Sequence, residues 1–339
     1  MSATPARCLT FSRDEKLLAS GHEDGTVRLS STSESGSKER TLGKQTYPVQ
    51  AVTFSENGKV LVSAGGEGQE REVVVWDMPE GKRRSTQRWK EQSPRCDGFL
   101  LALSPDGMTL AVRGDNDAKL RFMSLTASDK PPRVDTEPAR AWKSFWWTLD
   151  HPAYAAVFSK DGKRLITAWC QEGKECIQMW DLEKRSAMTD PRDTGPSVLE
   201  GGDPDKRGFL WFNSDDPKLI HRDVRWVRTD GRLKWWGVGA VPTDLTIPPM
   251  HPPRLDRVVA YAPMGDFVIV ATGIGIDATE RNVLVRWVGS SSTATSWRTH
   301  PKGLFALALA PSGTRLATSG SDGIKLWTLP VWKKFSPSP

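Results

Sequence analysis

The chain has 339 residues, 26% of them charged and 37% hydrophobic, with a formal net charge of +6. That balance belongs to a globular chain rather than a disordered one, and so mild a charge permits attraction to anionic surfaces without indicating it. Four cysteines (Cys8, Cys96, Cys170 and Cys176) are too few for a disulfide framework at this length, and no apolar run approaches the roughly 18 residues of a membrane span. The N-terminal MSATPARCLTF lacks a basic head followed by an apolar core. The expectation is a cytoplasmic protein with reduced thiols, no signal peptide and no membrane.

In chain order, a first unit predicts strands over 7–11, 17–21 and 27–31 and an outer strand near 39–42, with a Ser-rich loop at 31–37. Its first turn, FSRDE from Phe11, recurs as FSENG at Phe54, LSPDG at Leu103, FSKDG at Phe158, FNSDD at Phe212, YAPMG at Tyr261 and LAPSG at Leu309. The intervals are 43, 49, 55, 54, 49 and 48 residues. Each interval reads as short alternating strands. A four-stranded unit cannot bury its own faces, and a closed ring gives every unit a neighbour on both sides. The expected fold is all-β: a single seven-bladed β-propeller over 1–335, of four-stranded antiparallel blades in one closed ring. The blades fall at about 7–43, 48–91, 97–145, 153–200, 207–241, 255–299 and 303–335, with a flexible tail at 336–339.

Trp76-Asp77 and Trp180-Asp181 end the third strands of the second and fourth units. DGTVRL from Asp24 and IKLW from Ile324 match the same strand. With the turn series, these resemble the WD-repeat (WD-40 type) family over nearly the whole chain, in a bacterial-looking spelling. The resemblance implies a buried hydrogen-bonded set of a His before the first strand, a Ser or Thr on the second, a turn Asp and a third-strand Trp. Only the last unit supplies it in full: His300, Thr318 or Ser319, Asp322 and Trp327. Elsewhere Ser30, Met123 or an ambiguous Arg286/Trp287 stands at the Trp position, and His151 and His251 are out of register. Those blades are expected to be irregular and to rest on apolar packing. Trp236 and Trp287 also end third strands, while Trp89, Trp142, Trp297 and Trp332 fall on expected outer strands.

Candidate features follow the chain. The run at 65–72 holds three glycines, but a strand follows it rather than a helix, so it reads as a mobile hairpin tip and not a phosphate loop. Lys82, Arg83, Arg84, Arg88 and Lys90 around Trp89 suit either a solvated outer strand or a single-stranded nucleic-acid contact. Asp115-Asn116-Asp117 is an ordinary turn, short of the oxygen ligands that calcium needs. Trp142, Phe145, Trp146 and Trp147 form an aromatic cluster, from which Trp146 and Trp147 are candidate partner contacts. Cys170 and Cys176 flank a hairpin and raise a disulfide or redox response, with incidental thiols as the plainer reading. In the fifth unit a second strand at 218–222 runs on past the blade edge, and Arg222, Arg225, Trp226 and Arg228 are further candidate partner contacts. The last blade is expected to take its outer strand from 331–335, with closure by side-by-side packing of the first and last blades.

The WD-repeat resemblance implies a non-catalytic scaffold that binds a protein or peptide through loops on one face, with no cofactor and no metal. It is expected to act as a monomeric propeller within a larger complex. Two alternatives stay open. One is a propeller hydrolase or lyase with a channel-mouth site drawn from His22, His151, His221, His251 and His300, although neither HExxH nor GxSxG is present. The other is nucleic-acid binding through the basic segments at 82–90 and 222–234.

Overall fold

The computed structural model describes residues 5–33, 39–90, 101–113, 119–125, 145–152, 155–159, 161–171, 174–188, 192–196, 209–212, 224–227, 233–236, 243–245, 257–261, 267–271, 282–287, 295–298, 300 and 304–329. Strands β1 (Ala6–Phe11), β2 (Leu17–His22), β3 (Thr26–Ser31) and β4 (Glu39–Lys44) form the first sheet. Strands β5 (Val49–Phe54), β6 (Val60–Glu67), β7 (Glu70–Asp77) and β8 (Lys82–Lys90) form the second. The third holds β9 (Leu101–Leu103), β10 (Thr109–Arg113), β11 (Lys119–Ser124) and β12 (Phe145–Pro152). In the fourth, β13 (Ala155–Phe158), β14 (Arg164–Gln171) and β15 (Lys174–Asp181) are followed by β16 (Ser186–Ala187) and β17 (Arg192–Pro196), both paired with β15. The fifth is β18 (Phe209–Phe212), β19 (Val224–Val227), β20 (Leu233–Trp236) and β21 (Thr243–Leu245). The sixth is β22 (Arg257–Tyr261), β23 (Phe267–Ala271), β24 (Asn282–Trp287) and β25 (Thr295–Arg298). The last described sheet is β26 (Leu304–Leu309), β27 (Arg315–Gly320) and β28 (Gly323–Thr328). Among the described residues there is no helix, and so none long and apolar enough to cross a membrane.

The recurring turn has a chemical cause. In the second sheet Ser55 Oγ accepts the Val60 N–H at 3.0 Å and donates to Asn57 Oδ1 at 2.7 Å, while Asn57 Oδ1 accepts the Lys59 N–H at 3.0 Å. The same arrangement joins Ser12 to Asp14 (2.6 Å), Ser104 to Asp106 (2.6 Å) and Ser159 to Asp161 (2.5 Å). The Ser and the Asp or Asn thus satisfy backbone donors that a tight turn would otherwise leave bare. The following position needs a left-handed backbone, and Gly58, Gly107, Gly162 and Gly313 supply it at φ +68°, +75°, +69° and +73°. The first sheet puts Glu15 there instead, at φ +58°.

The middle strands lie between neighbouring sheets. Val60 to Gly66 and Arg71 to Trp76 are buried without alternation, whereas the outer strand β8 is exposed at both ends. Apolar clusters sit between sheets rather than within them. Leu29, Val49, Leu61, Val74 and Trp76 join the first two sheets. Val62, Val75, Leu110 and Met123 join the second and third, and Leu120, Phe122, Phe158 and Trp180 join the third and fourth. First strands lie against first strands: β1 touches β5, β5 touches β9, β9 touches β13, β13 touches β18 and β22 touches β26. The last sheet packs on the first through β1, β26 and β27. Residues 331–335, expected to complete the last sheet, lie outside the described residues.

Several expectations need correcting. The run at 65–72 is mostly strand. Strands β6 and β7 stay paired out to Glu67↔Glu70, so the turn is only Gly68-Gln69. Gly65 and Gly66 are strand residues whose absent Cβ atoms make room for neighbouring backbone. The third unit runs past 145, because its outer strand is Phe145–Pro152, and the fifth runs past 241, because β21 is Thr243–Leu245. Outer strands end where pairing with the third strand ends, and no local residue marks that point. The described second strand of the fifth unit is Val224–Val227, paired with both β18 and β20, while the strand expected at 218–222 lies outside the described residues.

Candidate binding face

In an antiparallel meander the turn between second and third strands, and the link from a fourth strand into the next first strand, lie at the same end of the sheet. The first turns lie at the other end. That other end is occupied by contacts between sheets. Asn57 Nδ2 donates to the Asp106 carbonyl at 3.1 Å, Arg13 pairs with Glu56 at 3.1 Å, and Ser312 bonds to Glu15.

At the end with the links, the described geometry centres on residues 45–48. Gln45 is buried, and its Oε1 accepts the Ser63 hydroxyl at 2.9 Å, while Ser63 Oγ accepts the Trp76 Nε1–H at 2.9 Å. Gln45 Nε2 has no hydrogen-bond partner. Next to it, the fully buried Glu72 accepts the Thr46 N–H at 2.6 Å and is held by Arg88 through Nε (3.0 Å) and a terminal nitrogen (2.7 Å). One link is therefore fixed by two polar networks. Beside it, Gly65 lets the link pass: a Cβ there would lie 1.9 Å from the Pro48 carbonyl oxygen. The β6–β7 and β14–β15 hairpins have eight-residue strands, against six in β2–β3 and β27–β28. At about 3.3 Å per residue the β6–β7 strands carry Glu67-Gly68-Gln69-Glu70 beyond the six-residue hairpins.

In the last sheet His300 joins Asp322 through Nδ1 and Thr318 Oγ1 through Nε2 at 2.8 Å, and Trp327 Nε1 donates to Thr318 Oγ1 at 2.8 Å. The ionised Asp322 carboxylate can only accept, which calls for a proton on Nδ1; in the neutral ring Nε2 then accepts the Thr318 hydroxyl proton. Burial raises the Asp322 carboxyl, but hydrogen bonds from Lys325 and His300 outweigh it and hold the group below the usual range. Ser319 takes no part. Its hydroxyl is buried on the other face of β27, without a hydrogen-bond partner. The Trp-to-hydroxyl bond also joins Trp180 to Thr167 at 2.8 Å, so three sheets share it. Sequence reasoning missed Gln45 in the histidine position because it sought an imidazole. The chemistry required is a buried acceptor just before the first strand.

Of the other candidates, Arg225 and Trp226 lie on β19, in register with Trp235 and Lys234, and Trp146 and Trp147 lie on β12. Arg222 and Arg228, and the segments at 115–117 and 222–223, lie outside the described residues. The register places Cys170 opposite Glu175 and Cys176 opposite Trp169, so the two cysteines are staggered rather than opposed. In the basic stretch, Arg84, Arg88 and Lys90 are paired with Asp77, Glu72 and Glu70, and Arg83 lies over the Trp76 ring at 5.1 Å. Trp89 is buried, which removes it as a stacking platform for bases. His22 is buried against Ser20 Oγ at 3.0 Å. Burial pushes the Cys8 thiol up to about 12. Among the described residues no group of three or more His, Cys, Asp or Glu is placed to hold a metal ion.

Comparison with known proteins places these features. A family model described as WD domain, G-beta repeat, matches residues 3–29, 36–77 and 291–328. WD repeat-containing protein 70 of Xenopus laevis is 26% identical over 198 residues, which is 54% of this chain and 30% of that protein. Centriole proteome protein 16 of Chlamydomonas reinhardtii is 39% identical over 98 residues, 26% of this chain and 5% of that protein. The chain thus spans less than a third of the length of either relative, and their sources lend nothing to a bacterial spelling. Among solved structures, the Cps50 (Swd1) β-propeller domain of Myceliophteria thermophila superposes with a TM-score of 0.69 at 18% identity, covering 97% of this chain and 98% of that one. A chain of a mitotic checkpoint complex superposes with a TM-score of 0.63 at 14% identity, covering 96% and 89%. The family description and these relatives' names indicate no catalytic family. The matched segments are similar to WD repeats, and the chain as a whole has the fold of a β-propeller.

Proposed function

We propose that the chain is a WD-repeat propeller of seven blades closed into one ring, and that it is a non-catalytic scaffold. It binds a protein or peptide at the end that carries the second turns and the blade-to-blade links. It does so in the cytoplasm, as a single propeller within a larger assembly, without a cofactor. One observation carries the choice of face: first turns are engaged with one another across sheets, whereas the long β6–β7 hairpin and the hydrogen-bonded 45–48 link stand at the opposite end. Loops on a rigid ring are the usual site of partner binding. Arg222, Arg225, Trp226, Arg228, Trp146 and Trp147 remain the candidate contacts outside this sector.

The test is capture of partners from the host lysate with the tagged chain, with and without nuclease. Glu67→Lys with Gln69→Glu alters the hairpin tip, Arg225→Glu with Trp226→Ala alters the fifth sheet, and Lys59→Glu alters a first turn. A protein that survives nuclease and is lost with either of the first two pairs, but kept with Lys59→Glu, supports the reading. The reverse pattern moves the site to the other end. Recovery only with intact nucleic acid overturns the protein-partner reading.

A further inference from the structure

The join between the first and last sheets differs from the join between the first and second sheets in two respects. Its apolar cluster is Ala6, Leu9, Phe11, Leu18, Ala306, Ala308, Ala310 and Ala317, five alanines of eight. The cluster at the neighbouring join is Ala19, Val27, Leu29, Val49, Val52, Leu61, Val74, Trp76 and Met78, one alanine of nine, so it is built of larger apolar side chains. Second, the missing apolar contact is offset by a polar clasp. Glu15 Oε2 accepts the Ser312 hydroxyl at 3.0 Å and Arg315 at 3.2 Å, and its other oxygen accepts the Ser312 N–H. Arg315 also donates to the Glu15 carbonyl at 2.8 Å and to the Thr32 carbonyl at 3.1 Å. The Glu15 side chain is 14% exposed.

Glu15 occupies the position that is glycine in four other first turns, and it holds the same left-handed backbone at a steric cost. Local chemistry gives no reason for a glutamate there. Its reason lies across the join.

We propose that this clasp is a release point of the propeller: the first and last sheets part at Glu15–Arg315 before the join of the first and second sheets opens, and the strain held at Glu15 is retained for that latch. The proposal concerns the join alone and stands apart from the partner reading. Hydrogen exchange followed by mass spectrometry tests it. In the unmodified chain, amides of β1, β26 and β27 should exchange faster than those of β6 and β7. Glu15→Gly restores the residue that the turn favours and removes the clasp. If the glutamate matters only locally, exchange at β26 and β27 stays the same or slows. If it latches the join, exchange there rises roughly tenfold or more while β6 and β7 are unchanged. Should Glu15→Gly fail to fold, Arg315→Lys, which keeps the charge but cannot reach all three acceptors, is read in the same way. Exchange at β26 and β27 as slow as at β6 and β7, or unmoved by either substitution, overturns the proposal.

Discussion

Trp76 donates its indole N–H to Ser63 Oγ at 2.9 Å, and Trp180 does the same to Thr167 at 2.8 Å, each across 13 residues of chain. In both, a tryptophan near the end of the third strand reaches back to a hydroxyl on the second, which fixes how the two strands lie. In the second sheet the hydroxyl in turn donates a hydrogen bond to Gln45 Oε1, and this ties the blade interior to the incoming link.

Removing that hydroxyl should be costly. Ser63→Ala leaves the Trp76 N–H and Gln45 Oε1 buried and unpaired, for a loss of about 1–3 kcal/mol. Ser63→Thr keeps the hydroxyl found at Thr167 and Thr318 and should lose less. Urea midpoints of the two variants, compared at equal m-value, check the order.

Gly65 and Gly68 lie three residues apart and should respond differently. A Cβ at Gly65 meets the Pro48 carbonyl oxygen at 1.9 Å, so Gly65→Ala must displace backbone and should cost about 1–3 kcal/mol or more. Gly68 has φ +57° and open space around it, so Gly68→Ala should cost only about 1 kcal/mol of backbone strain. Thermal unfolding of both variants gives the comparison.

Glu72 organises the link between the first two sheets. Glu72→Gln weakens its bonds to Thr46 and Arg88. Because the Arg88 side chain is half exposed, water recovers part of the loss, and the expected cost is about 1–2 kcal/mol. Faster amide exchange at 45–47, with β1–β3 unchanged, would locate the effect.

Acid should loosen the turns. The Ser12 hydrogen bond holds Asp14 below the ordinary carboxyl value of 3.8. At Asp161, burial raises the group, but the Ser159 hydroxyl and the Lys163 N–H outweigh it and the net shift is downward. A folded value below the unfolded one stabilises the fold at pH above the unfolded value, and that contribution is lost as pH falls through the folded value. The contribution of these turns should therefore be level from neutral pH to about 4.5 and fall below about 4. Asn57 fills the same role without a charge, so Asp161→Asn should remove its share of the acid dependence. Urea midpoints between pH 6 and pH 3 test this.

Much of the fold is legible because its signals are local. The turn FSxDG satisfies its own backbone within five residues, so Phe54, Leu103 and Phe158 mark turns without knowledge of any partner. The last-sheet set from His300 to Trp327 is legible too, since family resemblance names each role. The partner contacts are less legible. Trp146, Trp147, Arg225 and Trp226 carry suitable chemistry, but nothing near them in sequence says which way a blade turns. The run at 65–72 reads as a mobile tip because glycine signals freedom locally. In the folded chain Gly65 instead gives room to the Pro48 carbonyl.

The sequence by itself determined the all-β class, the repeat period and the placement of first turns and third-strand tryptophans, because strand alternation and turn hydrogen bonds close over a few residues. Only the tertiary structure decided that Gln45 stands where a histidine was sought and that β6 and β7 pair to their tips. It also decided that Glu15 belongs to a contact nearly 300 residues away in Ser312 and Arg315. Each of these depends on what a neighbouring sheet brings to the same few ångströms, and no local pattern encodes that neighbour.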